Sequence, residues 1–133
     1  MNTVFADTYY YLSLVNERDE AHSKAVAFMN SFRGASITTE WILTELGDAL
    51  VQPHKRSGYL QLLESIRQDS LATVIEASHD LFARGVELFA NRPDKEWSLT
   101  DCISFVVMEE RGLHEALTGD HHFEQAGYVA LLR

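Results

Sequence analysis

The sequence is poor in cysteine and in long apolar runs, and both shortages limit the class of protein. Its single cysteine, Cys102, cannot form an internal disulfide, and the apolar stretch around it predicts a buried, unreactive thiol. No segment reaches the roughly 20 uncharged apolar residues that would span a bilayer. Because no basic region precedes an apolar one at the N-terminus, a secretory signal is not predicted, and we expect a cytoplasmic protein.

Positive charge is also scarce, since 11 Lys and Arg stand against 20 Asp and Glu, a formal net charge of -9. Domains that bind nucleic acid through general electrostatics usually display a basic face, so this balance argues against them. A pocket rich in carboxylates would account for several of the negative charges, and bound divalent cations would partly cancel them. The acidity therefore leaves room for a metal-dependent enzyme that acts on nucleic acid.

Strand-like and helix-like segments alternate along the chain. The predicted strands are short, apolar and rich in β-branched residues, and the segments between them have the apolar spacing of amphipathic helices. Such alternation implies right-handed crossovers and a mainly parallel sheet of four to five strands, with helices on both faces. Without a linker or repeat, residues 1–133 are expected to form one domain. The predicted strands are residues 3–6, 36–39, 71–76, 115–118 and 128–131.

Three aspartates stand where predicted helices begin. Asp7 follows the first strand, Asp120 follows the fourth by two residues, and Asp101 completes a capping-box pattern with Ser98 before a helix that ends at Gly112. Parallel sheets bind ligands beyond the carboxyl ends of their strands, where the strand order reverses, so Asp7 and Asp120 can share one crevice if their strands are neighbours. Taken singly, each aspartate is better interpreted as a helix cap.

Glu45 has no such explanation, because it lies in the middle of a predicted helix, on its apolar side. A buried ionised carboxylate is costly unless it is paired or metal-bound, and no basic residue lies within one turn of Glu45. Carboxylates that converge on one point repel one another, and a hard divalent cation, Mg²⁺ or Mn²⁺, is the simplest compensation. Such an ion can lower the pKa of water, hold a phosphodiester and stabilise the leaving oxygen.

Histidines and basic residues are weaker candidates. The 6 histidines form no HExxH or paired Cys/His pattern, so zinc is not expected. His121 and His122 are better interpreted as exposed loop residues than as ligands. Lys55 and Arg56 could hold a phosphate backbone or could simply be solvated surface, and we weight these two alternatives equally.

Four stretches of the chain, taken in order, resemble the PIN-domain family, and in particular its toxin type called VapC. The two towards the C-terminus are the more specific. The stretches are residues 4–8 (VFADT), 38–46 (TTEWILTEL), 97–105 (WSLTDCISF) and 116–128 (ALTGDHHFEQAGY).

The resemblance implies a PIN-like three-layer α/β/α sandwich and a ribonuclease dependent on Mg²⁺ or Mn²⁺. Thr8 matches a hydroxyl position beside the first acid, and Thr100 and Thr118 are candidate polar supports, with turn and cap chemistry as an equal alternative. Many relatives carry a basic residue after the fourth acid, where this chain has His121, a weak candidate for contact with RNA. The implied catalytic and metal-binding acids are Asp7, Glu45, Asp101 and Asp120.

The same resemblance implies three partners: an RNA substrate, a small antitoxin that covers the active-site cleft, and a second copy of the chain in a homodimer. The alternative function is a PIN-fold interaction module whose metal site is idle, although the presence of all four acids argues against it. An excess of aromatic side chains in the first helices also predicts an exposed apolar patch of the kind found at interfaces. The aromatic residues concerned are Tyr9, Tyr10, Tyr11, Phe28, Phe32, Trp41 and Tyr59.

Overall fold

The computed structural model describes residues 2–133, in which strands alternate with helices. The strands are β1 (Thr3–Ala6), β2 (Ala35–Thr39), β3 (Ala72–Ile75), β4 (Glu115–Leu117) and β5 (Val129–Ala130). They form one sheet in the order β3-β2-β1-β4-β5, and every neighbouring pair is parallel. The expectation of four to five mainly parallel strands is confirmed.

The helices cover the sheet as two groups. They are α1 (Thr8–Val15), α2 (His22–Ser31), α3 (Glu40–Ala49), α4 (Pro53–Gln68), α5 (His79–Asn91), α6 (Leu99–Arg111) and α7 (His121–Gln125). Helix α1 contacts α2 and α3, and α3 contacts α4, whereas α6 contacts α5 and α7. The chain moves along the sheet from β1 to β2 and β3, and then in the opposite direction from β3 to β4 and β5. Right-handed crossovers in opposite directions place their helices on opposite faces of the sheet, which gives the expected three layers. In residues 2–133, none of the helices combines the length and apolarity that a bilayer-spanning helix needs.

Helix α6 has more buried residues than any other described helix, and its ends form as its sequence indicates. Ser98 accepts a hydrogen bond from the Asp101 N–H, and the Asp101 side chain accepts one from the Ser98 N–H. The helix ends at Gly112, whose φ of 65° lies in the left-handed region that glycine adopts without strain. Cys102 is buried in this helix, as expected, and burial, with Asp101 nearby, raises the pKa of its thiol.

The prediction that some of these aromatic side chains are exposed is wrong, because all seven are buried or partly buried. Tyr10 and Tyr11 are buried, and Phe28 stacks on Phe32 with 4.6 Å between ring centroids. The remaining three pack, partly buried, against the same core: Tyr9, Trp41 and Tyr59. The large apolar side chains that are exposed lie elsewhere, and those on α5 are Phe82, Val86 and Phe89.

Close contact between α5 and α6 depends on Gly85. A Cβ atom at Gly85 would overlap Ile103 Cγ1 and lie 3.4 Å from Ile103 Cα, so we expect Gly85→Ala to lower the free energy of unfolding by roughly 1–3 kcal/mol. Gly58, inside α4, is the matched control, because a Cβ there would meet nothing within 4 Å. Gly58→Ala should stabilise by about 1 kcal/mol, through helix propensity alone. Urea unfolding of both variants makes the comparison, and effects of the same sign would contradict the close contact.

Candidate active site

The candidate site lies where the strand order reverses. Strands β1 and β4 are neighbours, with β2 and β3 on one side of them and β5 on the other. Asp7 directly follows β1, and its backbone N–H donates to the Leu117 carbonyl at the end of β4, over 3.2 Å. Asp120 leaves the same edge of the sheet. The two aspartates therefore share the crevice in which parallel α/β sheets bind ligands.

An open pocket of about 370 Å³ at this edge brings together the four acids named from the sequence. Asp7 lies directly after β1, Glu45 is in α3, Asp101 is in the first turn of α6, and Asp120 is the residue before α7. Thr8 lines the pocket as well. The remaining lining residues, which sequence reasoning missed, are Tyr9, Leu12, Glu96, Ser98 and His122.

Asp7 is the most buried of the acids, with 5% of its surface exposed. It occupies the N-cap position of α1 but makes no side-chain capping bond, so the capping interpretation is wrong for this residue. The Thr118 hydroxyl donates to Asp7 Oδ2 over 2.8 Å. Burial raises the pKa of Asp7 to about 7, and the nearby charges of Asp101 and Glu45 also raise it, against the opposing effect of the Thr118 bond.

Glu45 is half-buried on α3, and its partner is a hydroxyl rather than a basic group. Thr8 Oγ1 donates to Glu45 Oε1 over 2.5 Å, which joins the first turn of α1 to the middle of α3. Thr8 therefore lies beside the first acid in sequence, as expected, but its hydroxyl orients the second.

Asp101 and Asp120 cap helices and also face the pocket. Asp101 Oδ2 accepts the Ser98 N–H at 3.3 Å, and Asp120 Oδ1 accepts the His122 N–H at 2.9 Å. Burial raises the pKa of Asp101, and so does the charge of Asp120, whereas the Ser98 bond and His122 lower it. For these two residues the capping interpretation is correct, and it is compatible with a place in the pocket.

His122 is not an exposed loop residue, contrary to the sequence-based interpretation. It lies in the first turn of α7 with 20% of its side chain exposed, and its Nδ1 is 3.3 Å from both Asp101 Oδ2 and Asp120 Oδ1. The short helix begins directly after Asp120 and turns His122 back towards the start of α6. His121 is exposed, as expected, but it too lies in α7. The sequence feature that could have indicated a place in the site for His122 is its position in the 116–128 stretch, two residues after an acid.

The threonines named as supports differ in their positions. Thr118 bridges two acids, because its Oγ1 donates to Asp7 and accepts the backbone N–H of Asp120 at 3.1 Å. Thr100 lies in the first turn of α6, and within residues 2–133 no hydrogen bond joins its side chain to the four acids. Glu96 is an exposed acid at the pocket rim. The sequence feature that could have indicated it is its position directly before the 97–105 stretch.

Lys55 and Arg56 lie in the first turn of α4, and both are exposed. Arg56 Nε donates to the Val51 carbonyl at 2.7 Å, so part of its guanidinium caps the preceding turn. Lys55 lines a neighbouring hollow that shares Leu12 with the acidic pocket. The pair is therefore beside the candidate site, but not in it.

Similarity to known proteins extends over nearly the whole chain, although no family model matches it. The chain is 27% identical over 128 residues, 95% of each protein, to the 23S rRNA-specific endonuclease VapC20 of Mycobacterium tuberculosis, in strains CDC 1551 / Oshkosh and H37Rv. The crystal structure of Mycobacterium tuberculosis VapC20, described as a Sarcin-Ricin loop cleaving toxin, matches with a TM-score of 0.86 and 26% identity, covering 95% of this chain and 96% of that one. FitAcB from Neisseria gonorrhoeae, at 16% identity, shares the fold with a TM-score of 0.67, over 96% and 94% of the two chains.

The burial of Asp7 makes stability depend on pH in a defined direction. The pKa of Asp7 rises from 3.8 to about 7 on folding, so the folded protein binds this proton more tightly than the unfolded chain does. The ionised carboxylate therefore lowers the free energy of unfolding. This effect is absent below pH 3.8 and complete above pH 7. Asp7→Asn keeps an oxygen for Thr118 and removes the charge. In chelator, we expect the variant to be more stable than wild type above pH 7, by up to roughly 4 kcal/mol.

Urea unfolding of wild type and Asp7→Asn across the range from pH 4 to pH 8 measures this difference. The advantage of the variant should shrink steadily as the pH falls, because wild-type Asp7 then gains its proton in the folded state. An advantage that did not change with pH would show that Asp7 is not the group responsible.

Proposed function

We propose that this chain, a VapC-like PIN-domain protein by sequence and fold, is an endoribonuclease that hydrolyses RNA phosphodiester bonds with Mg²⁺ or Mn²⁺ and acts as the toxin of a toxin–antitoxin pair. One observation carries the proposal: acids from four separate segments line a single pocket at the edge where the strand order reverses. The similarity to an RNA endonuclease described as a toxin supports both the reaction and the toxin role. The proposed catalytic and metal-binding residues are Asp7, Glu45, Asp101 and Asp120.

The donor groups of the pocket suit a hard divalent cation. Carboxylate oxygens are the ligands that Mg²⁺ and Mn²⁺ prefer in proteins. Asp7 is buried beside two other acids, so its ionised form is unfavourable unless a cation compensates its charge. A bound divalent cation would neutralise the acids, activate a water for attack on phosphorus and stabilise the leaving oxygen.

Hydrogen bonds within the chain hold the carboxylates in place before any ion or RNA binds. Thr8 holds Glu45, Thr118 holds Asp7, and the backbone of Ser98 holds Asp101. Ligands whose orientation is set in this way need little rearrangement on binding. The hydroxyls of Thr8 and Ser98 are already engaged in these bonds or in capping, so the attacking group is expected to be water.

The proposed substrate is a structured RNA. The relative with 27% identity is named for action on 23S rRNA, and its crystal structure for cleavage of the Sarcin-Ricin loop, which makes that loop the first substrate to test. We propose Lys55, Arg56 and His121 as contacts to the RNA backbone, because all three are exposed near the pocket and Lys55 and Arg56 are positively charged.

Asp101→Asn is the direct test of the site. The substitution keeps the oxygen that caps α6 and removes a charge that a divalent cation needs, so we expect cleavage of a Sarcin-Ricin loop RNA in Mg²⁺ to fall about 100-fold or more. The melting temperature should hardly change. Glu109→Gln is the matched control, since it makes the same chemical change at an exposed position of the same helix.

Two results would contradict the proposal in different ways. Near-normal cleavage by Asp101→Asn, with its melting temperature unchanged, would show that the site is wrongly placed. Wild-type protein that binds Mg²⁺ or Mn²⁺ but cleaves no RNA would favour the alternative, an interaction module with this fold.

The proposed partners are a cognate antitoxin and a second copy of the chain. An acidic pocket favours an antitoxin tail with Arg or Lys, because a basic side chain can satisfy carboxylates that otherwise need a cation. We therefore expect the antitoxin to inhibit less strongly as the Mg²⁺ concentration rises. The antitoxin concentration that halves cleavage should increase several-fold. The assay holds ionic strength constant with KCl. Inhibition that did not change with Mg²⁺ concentration would exclude an antitoxin tail in the pocket.

A further inference from the structure

Asp101, Asp120 and His122 lie together at one side of the pocket, and His121 lies next to Asp120. Each of Asp120, His121 and His122 has a ligand atom within 4.8 Å of the ligand atoms of the other two. His122 Nδ1 lies 3.3 Å from Asp120 Oδ1 and 3.3 Å from Asp101 Oδ2, and His121 Nδ1 lies 3.7 Å from Asp120 Oδ1. Asp120, His121 and His122 therefore place nitrogen and oxygen donors around one small volume, and Asp101 lies beside His122.

The contacts of His122 are long for hydrogen bonds to a carboxylate, and they are close to the separation of ligands around one ion. Charge-assisted N–H···O bonds are usually ~2.7–2.9 Å long, shorter than both contacts of His122. With bonds of ~2.1 Å to nitrogen and oxygen, neighbouring ligands lie ~3.4 Å apart at tetrahedral angles. The distances of 3.3 Å and 3.7 Å need little adjustment to reach that arrangement.

Local structure holds these donors in place without covering them. Asp120 accepts the backbone N–H of His122 at 2.9 Å, which ties the two ligands together, and the next residue, Phe123, is fully buried and anchors α7. The side chains of Asp101, Asp120 and His122 are 12%, 27% and 20% exposed, so an ion can reach them.

We propose that His122 and His121, with Asp120 and Asp101, form a subsite for a divalent transition-metal ion, distinct in chemistry from the carboxylate site. Imidazole nitrogen suits Zn²⁺, Co²⁺ and Ni²⁺, whereas Mg²⁺ takes oxygen ligands. The subsite shares Asp101 and Asp120 with the carboxylate site, so it gives the pocket a response to transition metals that Mg²⁺ does not produce. The inference goes beyond the proposed RNA cleavage, because this binding needs no RNA.

Co²⁺ is the probe for the test, because its visible absorption and its effect on proton NMR both report on the ligands. Tag-free protein, stripped of metal, is titrated with Co²⁺. We expect a saturable visible band that Zn²⁺ removes and equimolar Mg²⁺ does not. The imidazole signals of two histidines should be strongly shifted by the bound ion in wild-type protein.

Variants locate the ion at this subsite. His122→Gln should weaken Co²⁺ binding at least tenfold and His121→Gln by less, while Mg²⁺ affinity by calorimetry stays within twofold. The matched control is His114→Gln, an exposed histidine just before β4, at the opposite edge of the sheet, and its Co²⁺ affinity should equal that of wild type. Circular dichroism establishes that each variant is folded.

Two outcomes would overturn the subsite. One is that Co²⁺ binds to wild-type protein and shifts no histidine signals. This measurement does not depend on the folding of any variant. The other is equal Co²⁺ affinity in wild type and a folded His122→Gln, which would mean that carboxylates alone hold the ion. Neither measurement uses RNA, so failure of the subsite and failure of the ribonuclease proposal are distinguishable.

Discussion

The pairing of β1 with β4 is the contact on which the rest of the site depends. It makes these strands neighbours although most of the chain lies between them, and the Asp7 N–H is bonded to the last residue of β4. The strand order reverses at this pair, so α1 and α7 leave the sheet on either side of one crevice. Without the pairing, Asp7 and Asp120 would each begin a helix in a different part of the molecule.

The acids that meet in this pocket lower the stability of the folded protein. Buried carboxylates close together repel one another, and Asp7 shows the cost in a pKa raised to about 7. Thr8, Thr118 and the Ser98 backbone donate to the acids, which lessens the cost but does not remove it. Local departures from the rules of burial are expected at functional sites, where a bound ligand supplies the missing compensation.

The two sides of the pocket differ in chemistry. Asp7 and Glu45 are oriented by threonine hydroxyls and offer only oxygen, whereas Asp101 and Asp120 stand beside His122. The proposed carboxylate site and the proposed nitrogen-containing subsite therefore share two ligands and differ in the others. The similarity in fold to VapC20 covers 95% of this chain, whereas both histidines of the proposed subsite come from the short helix α7.

The sequence by itself determined the alternation of strands and helices and the capping box at Ser98, because periodicity and capping are properties of neighbouring residues. The proposal of four site acids came from the resemblance to the PIN-domain family. A charged residue on an apolar helix face was enough to single out Glu45. Only the tertiary structure decided that Asp7 is buried without capping a helix, that Thr8 orients Glu45, and that the aromatic side chains are covered. It also decided that His122 lies between two aspartates. The contacts of Thr8 with Glu45 and of His122 with Asp101 join groups far apart in sequence, whose distance is set by packing across the sheet and not by local propensity.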